Sequence, residues 1–131
     1  VSPKTYHDFL LPVHQEMNRR IGGPTILHLC GNCSDRLRLF VEAGFDAYHF
    51  EWQVDAKRAV EVVNHEMSLI GNIANKGILF GGTSEDVYKQ ARYGIEAGVD
   101  ILAPECAIPL QTPLANLKAI VEASKEGWAA S

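Results

Sequence analysis

The stretch that decides the fold is Pro24-Thr25-Ile26-Leu27-His28-Leu29-Cys30-Gly31-Asn32-Cys33-Ser34-Asp35-Arg36-Leu37. It begins as an apolar run and ends as a helix start, with one imidazole and two thiols between them. That is the grammar of a buried strand feeding a helix, and in βα proteins chemistry is built where the strand ends. The third cysteine, Cys106, follows another apolar run, Val99-Asp100-Ile101-Leu102-Ala103. Neighbouring strands in one sheet would bring His28, Cys30 and Cys106 to a single point. Two sulfurs and an imidazole suit Zn²⁺, and three protein ligands leave one coordination position open.

The chain has 131 residues, enough for one modest domain. Hydrophobic residues make up 47% and charged residues 21%, which is a globular composition. The net charge is −4, and Lys and Arg form no cluster larger than Arg19-Arg20. Nucleic acid is therefore not an expected partner. No apolar stretch approaches the ~20 residues of a membrane span. An odd count of three cysteines, without a secretory signal, points to cytoplasmic thiols used for metal or catalysis.

Working outward, residues from about 4 to 20 read as an amphipathic helix with Tyr6, Phe9, Leu10, Val13 and Met17 on one side. Four strand–helix alternations follow. The strands are Thr25 to Leu29, Ala47 to Glu51, Ser68 to Ile73 and Asp100 to Ala103. Helices start near Ser34, at Asp55, at the capping box Thr83-Ser84-Glu85-Asp86, and at Thr112-Pro113. The last carries Leu114, Leu117, Ile120 and Val121. Gly77 to Gly82 reads as a Gly-rich connection. The phrases Glu-Ala-Gly-Phe-Asp-Ala from Glu42 and Glu-Ala-Gly-Val-Asp-Ile from Glu96 echo one another. The fold class is α/β: parallel (βα) units, one 1–131 segment of four units preceded by a helix. Four units are half of a TIM (βα)₈ barrel, so the segment is expected to belong to a longer protein or to pair with another half.

Further motifs then resemble a known family. His28-Leu29-Cys30-Gly31-Asn32, Glu51-Trp52-Gln53-Val54-Asp55, Gly71-Asn72-Ile73, Cys106-Ala107-Ile108-Pro109, Thr112-Pro113 and Asn116-Leu117 look like the C-terminal half of the uroporphyrinogen decarboxylase superfamily. Within it, His-x-Cys with a distant Cys resembles the methylcobamide:coenzyme M methyltransferases. The resemblance implies a complete (βα)₈ barrel, of which this chain matches strands five to eight. It implies Zn²⁺ on His28, Cys30 and Cys106, and methyl transfer from a methylated corrinoid on a partner protein to a thiol such as coenzyme M. Family members carry a small residue before the last cysteine. Here it is Glu105, an added negative charge or an extra ligand.

Other readings stay open on the residues alone. A tetrapyrrole decarboxylase would need no zinc. A thiol redox protein would use Cys30 and Cys33 as Cys-x-x-Cys at a helix start, and a non-catalytic half-barrel would use neither. Cys33 reads as a helix-start cysteine near the metal, a redox partner or a structural ligand. Glu51, the catalytic candidate, reads as a displaceable fourth ligand, a support for His28 or a solvated loop residue. His49, two residues before Glu51 in its strand, faces the same side as Glu51, lining a pocket or sitting in the core. His7, His14 and His65 read as surface residues, and Trp52 and Trp128 as covers for apolar surface.

Overall fold

The computed structural model describes residues 1–128, with side-chain surroundings through residue 126; the Trp128 side chain lies outside them. Helix α1 (Pro3–Thr5), a π-helical turn (Tyr6–Leu10) and α2 (Leu11–Ile21) run on continuously. Then come β1 (Ile26–His28), α3 (Leu37–Glu42), β2 (Ala47–His49), α4 (Ala56–Val63) and β3 (Ser68–Ile73). A second π-helical turn (Asn75–Phe80), α5 (Ser84–Ala97), β4 (Ile101–Pro104) and α6 (Leu114–Trp128) complete the order.

The four strands form one parallel sheet in the order β1-β2-β3-β4. A doubly wound sheet reverses its strand order at a switch point, and this sheet does not. Right-handed crossovers that always step the same way put every helix on the same face. The side-chain rows agree. Leu27, Tyr48 and Leu69 are in register, buried and aimed at the helices. The alternate row, His28, His49, Ile70 and Ile101, faces the other way and is exposed at both ends. The result is an α/β partial barrel, with its helical coat in place and its inner face open.

The sequence echo has a mechanical cause. Gly44 and Gly98 take left-handed conformations that end their helices. Two residues later Asp46 accepts the Thr25 N–H at 2.7 Å, and Asp100 accepts the Leu69 N–H at 2.7 Å. Each aspartate thus pins the start of the preceding strand. The capping box at Thr83 and Asp86 forms as expected, and Asp55 caps α4 by accepting the Arg58 N–H.

Two helix faces differ from the periodic reading. Along the π-helical turn and α2, Phe9, Val13 and Met17 are exposed, while Tyr6, Leu11, His14 and Asn18 face α3. The π-helical turn holds more residues per turn than an α-helix, so counting by 3.6 across it slips to the wrong side. His14 is consequently half-buried rather than a surface residue. It bonds the Tyr6 hydroxyl at 2.7 Å and packs edge-on to Phe45. Burial lowers its pKa and pushes that of Tyr6 up to about 12. On α6 the buried residues are Asn116, Ala119 and Ala123, whereas Leu114 and Val121 are exposed. Small side chains there let α6 approach the Val87, Ala91 and Gly94 face of α5. The connection through Gly77 is helical, and Asn116 Nδ2 anchors it through the carbonyls of Leu79 and Gly82.

Phe40 is fully buried, with ring centroids 5.1 Å from Tyr6 and 4.9 Å from Tyr48. Phe40→Ala is expected to cost about 3–5 kcal/mol, the range for truncating a fully buried aromatic side chain. Denaturant unfolding checks this, and a loss below about 1 kcal/mol would contradict the packing described.

Candidate metal centre

β1 ends with His28, and the chain then turns through Cys30 and Gly31. β4 ends at Pro104, two residues before Cys106. These strand ends belong to the two edge strands, with β2 and β3 between them, and on the open inner side their side chains meet. His28 Nε2 lies 3.4 Å from Cys30 Sγ and 3.5 Å from Cys106 Sγ, and the two sulfurs are 3.8 Å apart. Tetrahedral zinc, with Zn–S of about 2.3 Å and Zn–N of about 2.0–2.1 Å, sets S···S near ~3.8 Å and S···N near ~3.5 Å. The three atoms already occupy three corners of that tetrahedron. Among the described residues, His28, Cys30 and Cys106 are the one such group of metal-ligating side chains.

The tautomer is set to match. His28 Nδ1 donates to the His49 carbonyl at 3.2 Å, which leaves the Nε2 lone pair facing the sulfurs. The His49 ring packs against that of His28, with centroids 4.6 Å apart and planes tilted by 34°, and its Nε2 donates to the Pro104 carbonyl at 2.7 Å. His49 is therefore half-buried and structural, and it braces β2 against the strand that carries Cys106.

The two carboxylates separate clearly. Glu51 accepts the Gly31 N–H at 2.8 Å and sits beside Cys30. Its hydrogen bond, followed by the neighbouring Cys106, pushes the Cys30 thiol up to about 11. Glu51 stands outside the mutually adjacent set of three. Glu105 is buried, and both of its oxygens are taken, by the N–H groups of Trp52 at 3.0 Å and Asn75 at 2.7 Å. Cys33 is buried in the core against Tyr48, while Cys30 turns to Cys106. Trp52 is 55% exposed. It walls a cavity of about 660 Å³ between the Lys76–Ile78 turn and the Lys89–Gln90 face of α5. Sequence reasoning quoted Asn72 in a motif without a role and missed Asn75; their side chains hold the carbonyls of Val54 and Ala107. Polar residues at the end of an otherwise apolar strand were the available signal.

The family model described as "Uroporphyrinogen decarboxylase (URO-D)" matches residues 1–127. The chain belongs to the uroporphyrinogen decarboxylase family. Within that family it is 36% identical over 126 residues to a methylated-thiol–coenzyme M methyltransferase of Methanosarcina mazei, covering 96% of this chain and 34% of the relative. It is 33% identical over 130 residues to the methylcobamide:CoM methyltransferase MtaA of Methanosarcina barkeri, covering 98% and 38%. A solved methyltransferase from Methanosarcina mazei superimposes with a TM-score of 0.92 at 32% identity, over 98% of this chain and 38% of that one. The chain thus spans 34–38% of the length of these relatives. No described helix is long and apolar enough to cross a membrane.

Proposed function

We propose that this chain is the C-terminal half of a zinc-dependent, cytoplasmic (βα)₈-barrel methyltransferase. It moves a methyl group from a methylated corrinoid, carried on a partner protein, to a thiol such as coenzyme M. The observation that carries this reading is the tetrahedral spacing of His28 Nε2, Cys30 Sγ and Cys106 Sγ. The names of the family relatives supply the substrate class.

A free thiol has a pKa near ~8.5 and is mostly protonated at neutral pH. Zinc held by His28, Cys30 and Cys106 would bind the acceptor sulfur at the open fourth corner as a thiolate and keep it in place. The chain's own groups prepare that corner. His28 is held in the right tautomer by the His49 carbonyl, and Glu51 stands beside Cys30, where a displaceable ligand belongs. In the reaction the thiolate electron pair forms the new S–CH₃ bond. The Co–C bond breaks with its pair left on cobalt, so methylcob(III)amide becomes cob(I)amide. The test supplies methylcobalamin and coenzyme M to the chain joined to its remaining βα units, and follows cob(I)alamin by absorbance. Methyl transfer that persists in a Cys30→Ser/Cys106→Ser double variant would sink the reading.

The rest of the barrel is inferred from exposed surface. β1 and β4 are unpaired edges, and Ile26 and Ile101 are 62% and 49% exposed on the inner face. Phe9, Val13 and Met17 add an uncovered row on α2. Surfaces of this kind are covered in stable proteins. The 131-residue chain by itself is expected to self-associate and to bind an apolar dye. A sharp monomer in sedimentation, unfolding cooperatively without dye binding, would overturn this.

A further inference from the structure

Glu105 is a buried charge beside a metal-ligand candidate, and it makes no approach to the metal corner. Its position is unusual enough to need a cause, because burying a carboxylate is costly unless its oxygens are fully partnered. Here they are. Oε2 accepts the Trp52 N–H and Oε1 the Asn75 N–H, at 3.0 and 2.7 Å, while Glu105's own N–H donates to the Ile73 carbonyl at 2.9 Å. On the other side of Cys106, the Ala107 carbonyl accepts from Asn75 Nδ2 at 2.7 Å. Cys106 is therefore clamped by both of its neighbours onto the turn after β3.

The tie continues across the site. Trp52, held by Glu105, follows Glu51 in sequence, and Glu51 holds the Gly31 N–H, next to Cys30. One hydrogen-bonded path thus runs from Cys106 through Glu105, Trp52, Glu51 and Gly31 to Cys30. It joins two sulfurs 76 residues apart in the chain without passing through the metal.

We propose that Glu105 is a positioning residue of the metal centre: through Trp52 and Glu51 it fixes Cys106 relative to Cys30 before any metal arrives. This rests on the metal reading above. Preorganised ligands bind metal more tightly because less ordering is left to the binding event, and outer partners of ligands typically contribute 10–100-fold in affinity.

The test uses zinc titration against a competing chelator, and the absorption bands of the Co²⁺-loaded chain. Glu105→Gln keeps the size but presents an NH₂ group to one of the two N–H donors. Glu105→Ala removes both acceptors. Val63→Ala, in α4 and away from the strand ends, serves as a reference weakened in the fold alone. Melting of each metal-free protein is recorded, and binding is read below the lowest transition. Zinc affinity is expected to fall about 10–100-fold in both Glu105 variants, with shifted Co²⁺ bands and no such change in Val63→Ala. Affinities within about twofold of the parent, with superimposable bands, overturn the proposal. So does an equal loss in Val63→Ala, or a Glu105 variant with no folded state while Val63→Ala folds, since either assigns Glu105 to the fold at large. A parent chain that binds neither metal refutes the metal reading itself, and is distinguishable from all of these.

Discussion

Cys106→Ser is expected to lower zinc affinity by more than the ~100-fold upper range seen for loss of an outer partner, while Cys33→Ser keeps about one zinc per chain. The geometry separates the two cysteines. Cys106 Sγ is 3.5 Å from His28 Nε2 and 3.8 Å from Cys30 Sγ, so a hydroxyl there removes one of only two soft ligands. Cys33 lies in the core beside Tyr48 and Leu37, where serine would weaken the fold and leave the metal corner intact. Affinity should also rise with pH. The Cys30 thiol of the metal-free site is pushed up to about 11, so at pH 6–8 it binds metal only by releasing its proton. One released proton gives about tenfold per pH unit. Isothermal titration across that range, in buffers of different ionisation enthalpy, counts the protons. Zinc retained by Cys106→Ser and lost by Cys33→Ser would mean that the site is built elsewhere. A folded parent chain without zinc would favour decarboxylase chemistry instead.

Much of this was legible in the sequence, for physical reasons that can be named. Strand ends are fixed by the apolar runs before them, so His28, Cys30 and Cys106 could be placed at the same end of one sheet from Pro24–Leu27 and Val99–Ala103 alone. That reading made their strands neighbours, whereas β2 and β3 lie between them and the side chains meet across the open inner face. Helix stops were legible because Gly44 and Gly98 adopt conformations that other residues avoid. What stayed hidden were bonds whose partners are backbone groups of another loop. Nothing in the residue type of Glu105 says that it will accept from Trp52 and Asn75, and a carboxylate beside a ligand cysteine reads equally well as a metal ligand. The faces of α2 and α6 were hidden differently. There the large apolar residues Phe9, Met17 and Leu114 are exposed, so hydrophobicity alone does not mark the core of this segment.

Zinc in the resting site is expected to show two sulfur and two nitrogen or oxygen neighbours, becoming three sulfurs and one nitrogen when a thiol substrate is added. Three corners belong to His28, Cys30 and Cys106. The fourth is assigned to an exchangeable ligand, and Glu51 is the candidate in place. Its Oε2 is anchored by the Gly31 N–H at 2.8 Å, which holds the carboxylate beside Cys30. A carboxylate is a harder ligand than a thiolate, and a sulfur-rich zinc exchanges the one for the other readily. Glu105, the rival carboxylate, has both oxygens committed to backbone N–H groups. Cys33 would have to leave the core to supply a third sulfur. Zinc-edge X-ray absorption before and after thiol addition reads the count directly. Glu51→Gln should keep the metal and the final three-sulfur state, while altering the oxygen shell of the resting one. Three sulfurs before any thiol is added would mean that Cys33 has moved onto the metal, and a closed site of that kind would leave no corner for the acceptor.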